Sequence, residues 1–112
     1  MQAIPAVYFP DGTAKPGPDG MATLDLVRWA LASWDIHDVT VYGFASSEGS
    51  RNSRLALDRA RFVADRLVAD GVDAEASAAV PERKQRAREL ELGRREFRRV
   101  EVVPKLKRGA VD

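Results

Sequence analysis

The sequence predicts an α/β (α+β) fold, a β-α-β-α-β-α-β sandwich with its helices on one face of a mixed sheet. Three observations point to it. Short runs of β-branched and aromatic residues alternate with longer stretches in which apolar residues recur every three or four positions. Clusters of Pro, Gly, Asp and Ser separate the two kinds of segment. The chain has 112 residues, the length of a single domain with one hydrophobic core, expected over about residues 6–103 with 104–112 as a tail.

The elements follow in order. Ala6-Val7-Tyr8-Phe9 comes after a proline and reads as a first strand. Pro10-Asp11-Gly12-Thr13 is a turn, because Pro sets φ, Asp caps locally and Gly tolerates positive φ. Met21, Leu24, Val27, Leu31 and Trp34 then form the apolar stripe of an amphipathic helix, with Asp19 as its expected N-cap. Trp34 continues the stripe and is expected in the core, whereas Trp29 falls on the opposite side, on the rim. Val39-Thr40-Val41-Tyr42-Gly43-Phe44 is the strongest strand and suits a central position. Tyr8 and Tyr42 are expected to pack in the sheet.

Residues 45–50 form a polar loop, after which Leu55, Phe62, Val63 and Leu67 mark a second helix. Ala56, Ala60 and Ala64 allow that helix to pack closely, and Gly71 sits where a left-handed C-terminal cap belongs. Val72 to Val80 is a weaker strand, broken by Ser77. Pro81 to Leu92 predicts a third, charged helix, with proline at its first position. Arg99-Val100-Glu101-Val102 alternates as a half-buried strand that Pro104 ends.

Composition excludes several classes. Hydrophobic residues are 45% and charged residues 31%, an ordinary globular balance rather than that of a disordered or collagen-like chain. The longest run free of charge, Gly and Pro is Trp29 to Trp34, far short of the roughly 20 residues a membrane span needs. The N-terminal residues lack the basic and apolar regions of a signal peptide, so the domain is expected either to work inside the cell or to belong to a longer exported chain. There is no cysteine, which removes disulfides, thiolate–zinc sites and thiol nucleophiles. The single His37 supports neither a histidine zinc site nor a Ser-His-Asp triad. It is expected to be a turn residue contacting a backbone carbonyl.

Ser46 and Ser47 follow the central strand without a G-x-S-x-G elbow, and no phosphate-binding glycine loop with its lysine is present. Glu48, Asp58 and Asp65 lack the spacing of a calcium loop. The sequence therefore predicts no enzyme activity, no cofactor and no metal.

Charge is unevenly spread. Residues 1–80 carry seven Lys/Arg against eleven Asp/Glu, a balance of −4, whereas 81–108 carry eleven against five, a balance of +6. The interleaved Glu82, Glu89, Glu91, Glu96 and Glu101 make the basic segment a solvated face rather than a nucleic-acid footprint. On the second helix Arg59 lies between Leu55 and Phe62. An arginine half-packed there, beside a polar loop, can clamp a carboxylate in bidentate fashion, or it can pair with Asp58 or Glu48.

Gly43-Phe44-Ala45-Ser46-Ser47-Glu48-Gly49 through Asn52, followed by Leu55-Ala56-Leu57-Asp58-Arg59-Ala60 and Val63 to Leu67, resembles the OmpA-like C-terminal domain family. That family carries a G-[HY]-T-D-x-x-G loop, an Asn, and L-S-x-x-R-A-x-x-V on a helix. Val7 to Thr13 resembles its first strand and turn, and Gly93 to Val102 is similar to its closing G-R-A-x-N-R-R-V-E-I segment. The resemblance implies a non-catalytic cell-envelope module that holds peptidoglycan through the diaminopimelate of the stem peptide. It places Arg59, Ser46, Asn52, Glu48 and Arg98 at the ligand.

It also implies a periplasmic or cell-wall location, if the domain belongs to an exported chain. Three positions depart from the pattern. Ser46 stands where the family has its loop Asp, Phe97 stands where it has its closing Asn, and the loop before Asn52 is short. Glu48, two residues on, is the candidate to supply the negative charge instead. These departures imply weakened or retuned binding. The alternative is a structural or protein-interaction domain of a larger assembly that has lost the ligand.

Overall fold

A computed structural model describes residues 4–45, 52–79 and 98–105. The element order is β1 (Val7–Tyr8), α1 (Pro18–Ser33), β2 (Asp38–Gly43), α2 (Asn52–Ala69), β3 (Asp73–Ala78) and β4 (Arg99–Pro104). The expected third helix over Pro81 to Leu92 lies outside the described residues. The strands form one mixed sheet in the order β1-β4-β2-β3, with β4 antiparallel to both β1 and β2, and β2 parallel to β3. The strongly β-branched β2 is an interior strand, as its composition requires.

Period-two alternation decides which face is covered. Val39, Val41, Val100 and Val102 are buried, and Val41 sits opposite both Val102 and Ala76. Together with Val7 they share one core with Leu24, Val27 and Leu31 of α1 and with Ala60, Val63 and Leu67 of α2. Both helices therefore cover the same face. On the other face lie Arg99, Glu101 and Tyr42, the last of these exposed rather than packed.

The helix ends show how local sequence sets length. Pro18 occupies the first turn of α1, where its fixed φ and missing N–H carry no penalty. The N-cap is therefore Gly17 rather than the expected Asp19, which instead places its carboxylate in the first turn. Both helices end in Schellman motifs. In α2, Gly71 has φ +87°, its N–H donates to the Val68 carbonyl at 2.9 Å, and the Val72 N–H donates to Leu67 at 3.0 Å. In α1 the left-handed position is filled by Asp35 at φ 55°, with the Ile36 N–H donating to Leu31 at 2.9 Å. That early stop leaves Trp34 at the C-cap and only half-buried, a correction to its expected core position.

The stripe of α2 is also shifted from the expected one. Ala56, Ala60, Ala64, Val63 and Leu67 are buried, while Leu55 and Phe62 sit on the flanks. The cause is the closeness of helix and sheet, since only small side chains fit between β2 and the facing backbone of α2.

Arg28 of α1 grips Asp70 at the end of α2 through two bonds, Nε to Oδ2 at 2.6 Å and Nη2 to Oδ1 at 2.7 Å. Hydrogen bonding to Arg28 lowers the Asp70 pKa from its ordinary 3.8 and outweighs the opposing desolvation. A depressed folded-state pKa gives stability that is present above the unfolded value and is lost as pH falls through the folded one. Asp70→Asn is expected to lower stability modestly at neutral pH, to flatten that part of the acid limb, and to converge with wild type at low pH. Denaturant midpoints measured from about pH 6 down to pH 2 check this.

Candidate functional site

The carboxyl ends of β1 and β2 and the amino end of β4 meet at one end of the sheet. The Phe9 N–H donates to the Arg98 carbonyl at 2.7 Å, and the Phe44 N–H donates to the Arg99 carbonyl at 2.9 Å, extending both ladders past the strands. Ligands in open α/β sheets gather outside such strand ends, because diverging loops leave a crevice there.

Arg59 projects from the first half of α2 into this junction and is wholly buried, with 0% exposure. Burying a guanidinium is tolerable only when hydrogen bonds replace its lost water. Here Nε donates to the Thr13 carbonyl at 2.9 Å, Nη1 to the Phe44 carbonyl at 3.1 Å and Nη2 to the Pro10 carbonyl at 3.1 Å. Its Cζ lies 5.5 Å from the centroid of the Phe9 ring, within cation–π range. The expected half-packed arginine is thus an internal post. It ties the Pro10–Thr13 turn to the end of β2, from which residues 46–51 depart. Asp58, one of its expected partners, pairs with Arg54 instead, at 3.6 Å.

Arg98 is half-buried at the same junction, and its Nε approaches the Phe9 carbonyl at 3.4 Å. Asn52 is the first residue of α2. Ser46, Glu48 and Phe97 lie outside the described residues. Sequence reasoning missed Phe9, Phe44, Pro10 and Thr13 as partners of Arg59. Three of these contribute only a carbonyl oxygen to it, which every residue type possesses. Arg99, next to Arg98, turns to the other face, where it stacks 4.0 Å from the Phe44 ring and pairs with Glu101 at 2.8 Å.

His37 differs from expectation. Its exposed Nε2 lies 2.6 Å from Asp35 Oδ1, a carboxylate rather than a backbone carbonyl. Trp29 is 65% exposed, and Leu26, one helical turn away, is 59% exposed.

No protein-family model and no curated protein matches the sequence. Solved structures do. The peptidoglycan-associated lipoprotein of Burkholderia pseudomallei is 22% identical over 89% of each chain, with a TM-score of 0.65. The cell wall anchor of the type VI secretion system (T6SS) of Pseudomonas aeruginosa is 23% identical over 88% of this chain and 75% of that one, with a TM-score of 0.64. The OmpA-like domain of FopA1 from Francisella tularensis is 20% identical over 88% and 71%, with a TM-score of 0.60. The chain has the OmpA-like fold. Among the described residues, no helix is long and apolar enough to cross a membrane.

Proposed function

We propose that the chain is a non-catalytic module of the bacterial cell envelope that binds peptidoglycan through its stem peptide. The observation that carries this reading is the OmpA-like fold. The buried guanidinium holds the turn after β1 against the end of β2, at the place where the resemblance puts the ligand. Structural neighbours named as a peptidoglycan-associated lipoprotein, a cell wall anchor and the periplasmic domain of MotB support it. In this reading Arg59, Asn52, Ser46, Glu48 and Arg98 form the ligand-binding end, with the compartment the periplasm or cell wall.

Serine at position 46 keeps a hydrogen-bonding group and loses a charge. A lost charge-assisted contact is worth about 1.5–3 kcal/mol, so binding is weakened or retuned toward another stem peptide. Co-sedimentation of the full chain with purified sacculi tests the proposal. Saturable retention is expected, and Ser46→Asp is expected to strengthen it by roughly tenfold.

The burial of Arg59 and the exposed pair Leu26 and Trp29 favour a second reading, a protein-interaction domain of a larger assembly. Absence of sacculus retention, together with co-purification of a protein partner lost in Trp29→Ser, decides for it.

A further inference from the structure

We infer that the outward face of α1 is a two-fold interface on which a second copy of this chain docks. The inference is independent of the peptidoglycan reading and concerns the middle of the helix, not the strand ends. The core side of α1 is made by Gly20, Leu24, Val27, Ala30 and Leu31, all buried. On the opposite side Ala22, Leu26, Trp29 and Ser33 are all exposed, Leu26 by 59% and Trp29 by 65%. A helix whose outer side meets only water carries polar and charged residues there. Here the outer side carries the two largest exposed apolar groups of the helix, one turn apart. The four residues follow one another at steps of four, three and four, which is the spacing of a coiled-coil seam.

The order of sizes along that seam identifies the occupant. A two-fold interface has to be complementary to itself, because the same patch forms both sides. Read from either end, the seam runs small, large, large, small. When two such helices pack antiparallel about an axis passing between positions 27 and 28, Ala22 faces Ser33 of the second copy, and Leu26 lies beside Trp29 of the second copy. The small residues fall where the seams face each other directly and let the helix axes approach to about 8–10 Å. The large ones fall to either side and pack flank against flank. A different protein would have no need of this symmetry.

Charge fits the same arrangement. Asp25 and Arg28 lie on one flank of the seam, 3.8 Å from each other, with Arg28 also held by Asp70. The two-fold axis puts the Asp25 of each copy on the same flank as the Arg28 of the other, so the rim brings acid to base. The seam is short. Covering Leu26, Trp29 and their flanks removes on the order of 400–500 Å² per copy, at the small end of specific interfaces. The dimer is therefore weak, with a dissociation constant of about 10–100 µM.

The test has two arms on the full chain. Sedimentation equilibrium from about 1 to 500 µM is expected to show wild type passing from monomer to dimer within the range given above. The double variant Leu26→Gln, Trp29→Gln is expected to stay monomeric throughout, with an unchanged urea midpoint, because both side chains are exposed in the monomer. The second arm fixes the register. The sequence has no cysteine, so introduced thiols are the only ones. Positions 22 and 33 lie about 16 Å apart along one helix, whereas a disulfide spans at most about 7 Å between Cα atoms. On mild oxidation, Ala22→Cys mixed with Ser33→Cys is expected to give a cross-linked dimer, and either variant alone is expected to give none. A dimer that survives the double variant, or Ala22→Cys linking to itself, overturns the interface. Wild type that stays monomeric at 500 µM also overturns it. In that case the emission of Trp29, isolated by Trp34→Phe, tells what takes its place. Shielding from acrylamide assigns the face to another part of the same chain, and free quenching leaves it to a different protein.

Discussion

Gly43→Ala is expected to abolish stable folding. A Cβ at position 43 would lie 1.8 Å from the Ala56 carbonyl oxygen, 2.8 Å from its carbon and 3.1 Å from the Ala60 Cβ. The first two of these are backbone atoms, held in place by the hydrogen bonds of α2. Relief therefore requires the whole helix to lift from β2, and not merely a side chain to turn. Overpacking of ordinary cores costs about 1–3 kcal/mol, and a collision with helix backbone is expected to exceed that. A marginally stable domain of this size has roughly 5–15 kcal/mol in all. Circular dichroism and urea titration are expected to show a molten or unfolded chain. A cooperative transition within about 1 kcal/mol of wild type would mean that α2 does not sit this close.

Arg59→Met is the second large effect. Methionine approximates the stem of arginine and removes all three donors. The carbonyls of Pro10, Thr13 and Phe44 lose their partner, and the turn after β1 loses its tie to the end of β2. Hydrogen bonds to a charged group are worth about 1.5–3 kcal/mol each. Relief of the buried charge offsets part of that loss, so a net destabilisation of about 2–4 kcal/mol is expected. Arg59→Lys is expected to recover little of it, because an ammonium cannot reach three diverging carbonyls in one plane. Urea denaturation gives the stability change. Hydrogen exchange is expected to show faster exchange at Thr13, whose N–H bonds the Pro10 carbonyl, and at Phe44, beyond the local effect of the substitution. Unchanged stability in Arg59→Met would remove the post from the account of this site.

Much of the fold was legible because it depends on periodicity. The alternation in β2 and β4 and the stripe of α1 over Leu24, Val27 and Leu31 each state which side is buried, without knowledge of the partner. Gly71 was legible as a cap because a left-handed residue after a helix is most often glycine. The equivalent position in α1 was not, because Asp35 adopts the same geometry with a side chain found in many settings. Trp34 was misplaced for the same reason. A stripe says which residues would share a face if the helix continued, and here the chain turns away first.

At the site, residue type and placement separate. That position 59 carries a guanidinium, that a polar loop precedes its helix, and that a serine stands where the resembling family has an acid are properties of the sequence alone. Whether that guanidinium is offered to solvent or consumed internally was settled by three carbonyl oxygens from two distant loops. Backbone carbonyls are identical at every position, so no pattern of side chains announces where three of them will converge. That α2 packs close enough to Gly43 to bury Arg59 among them is a fact of tertiary packing.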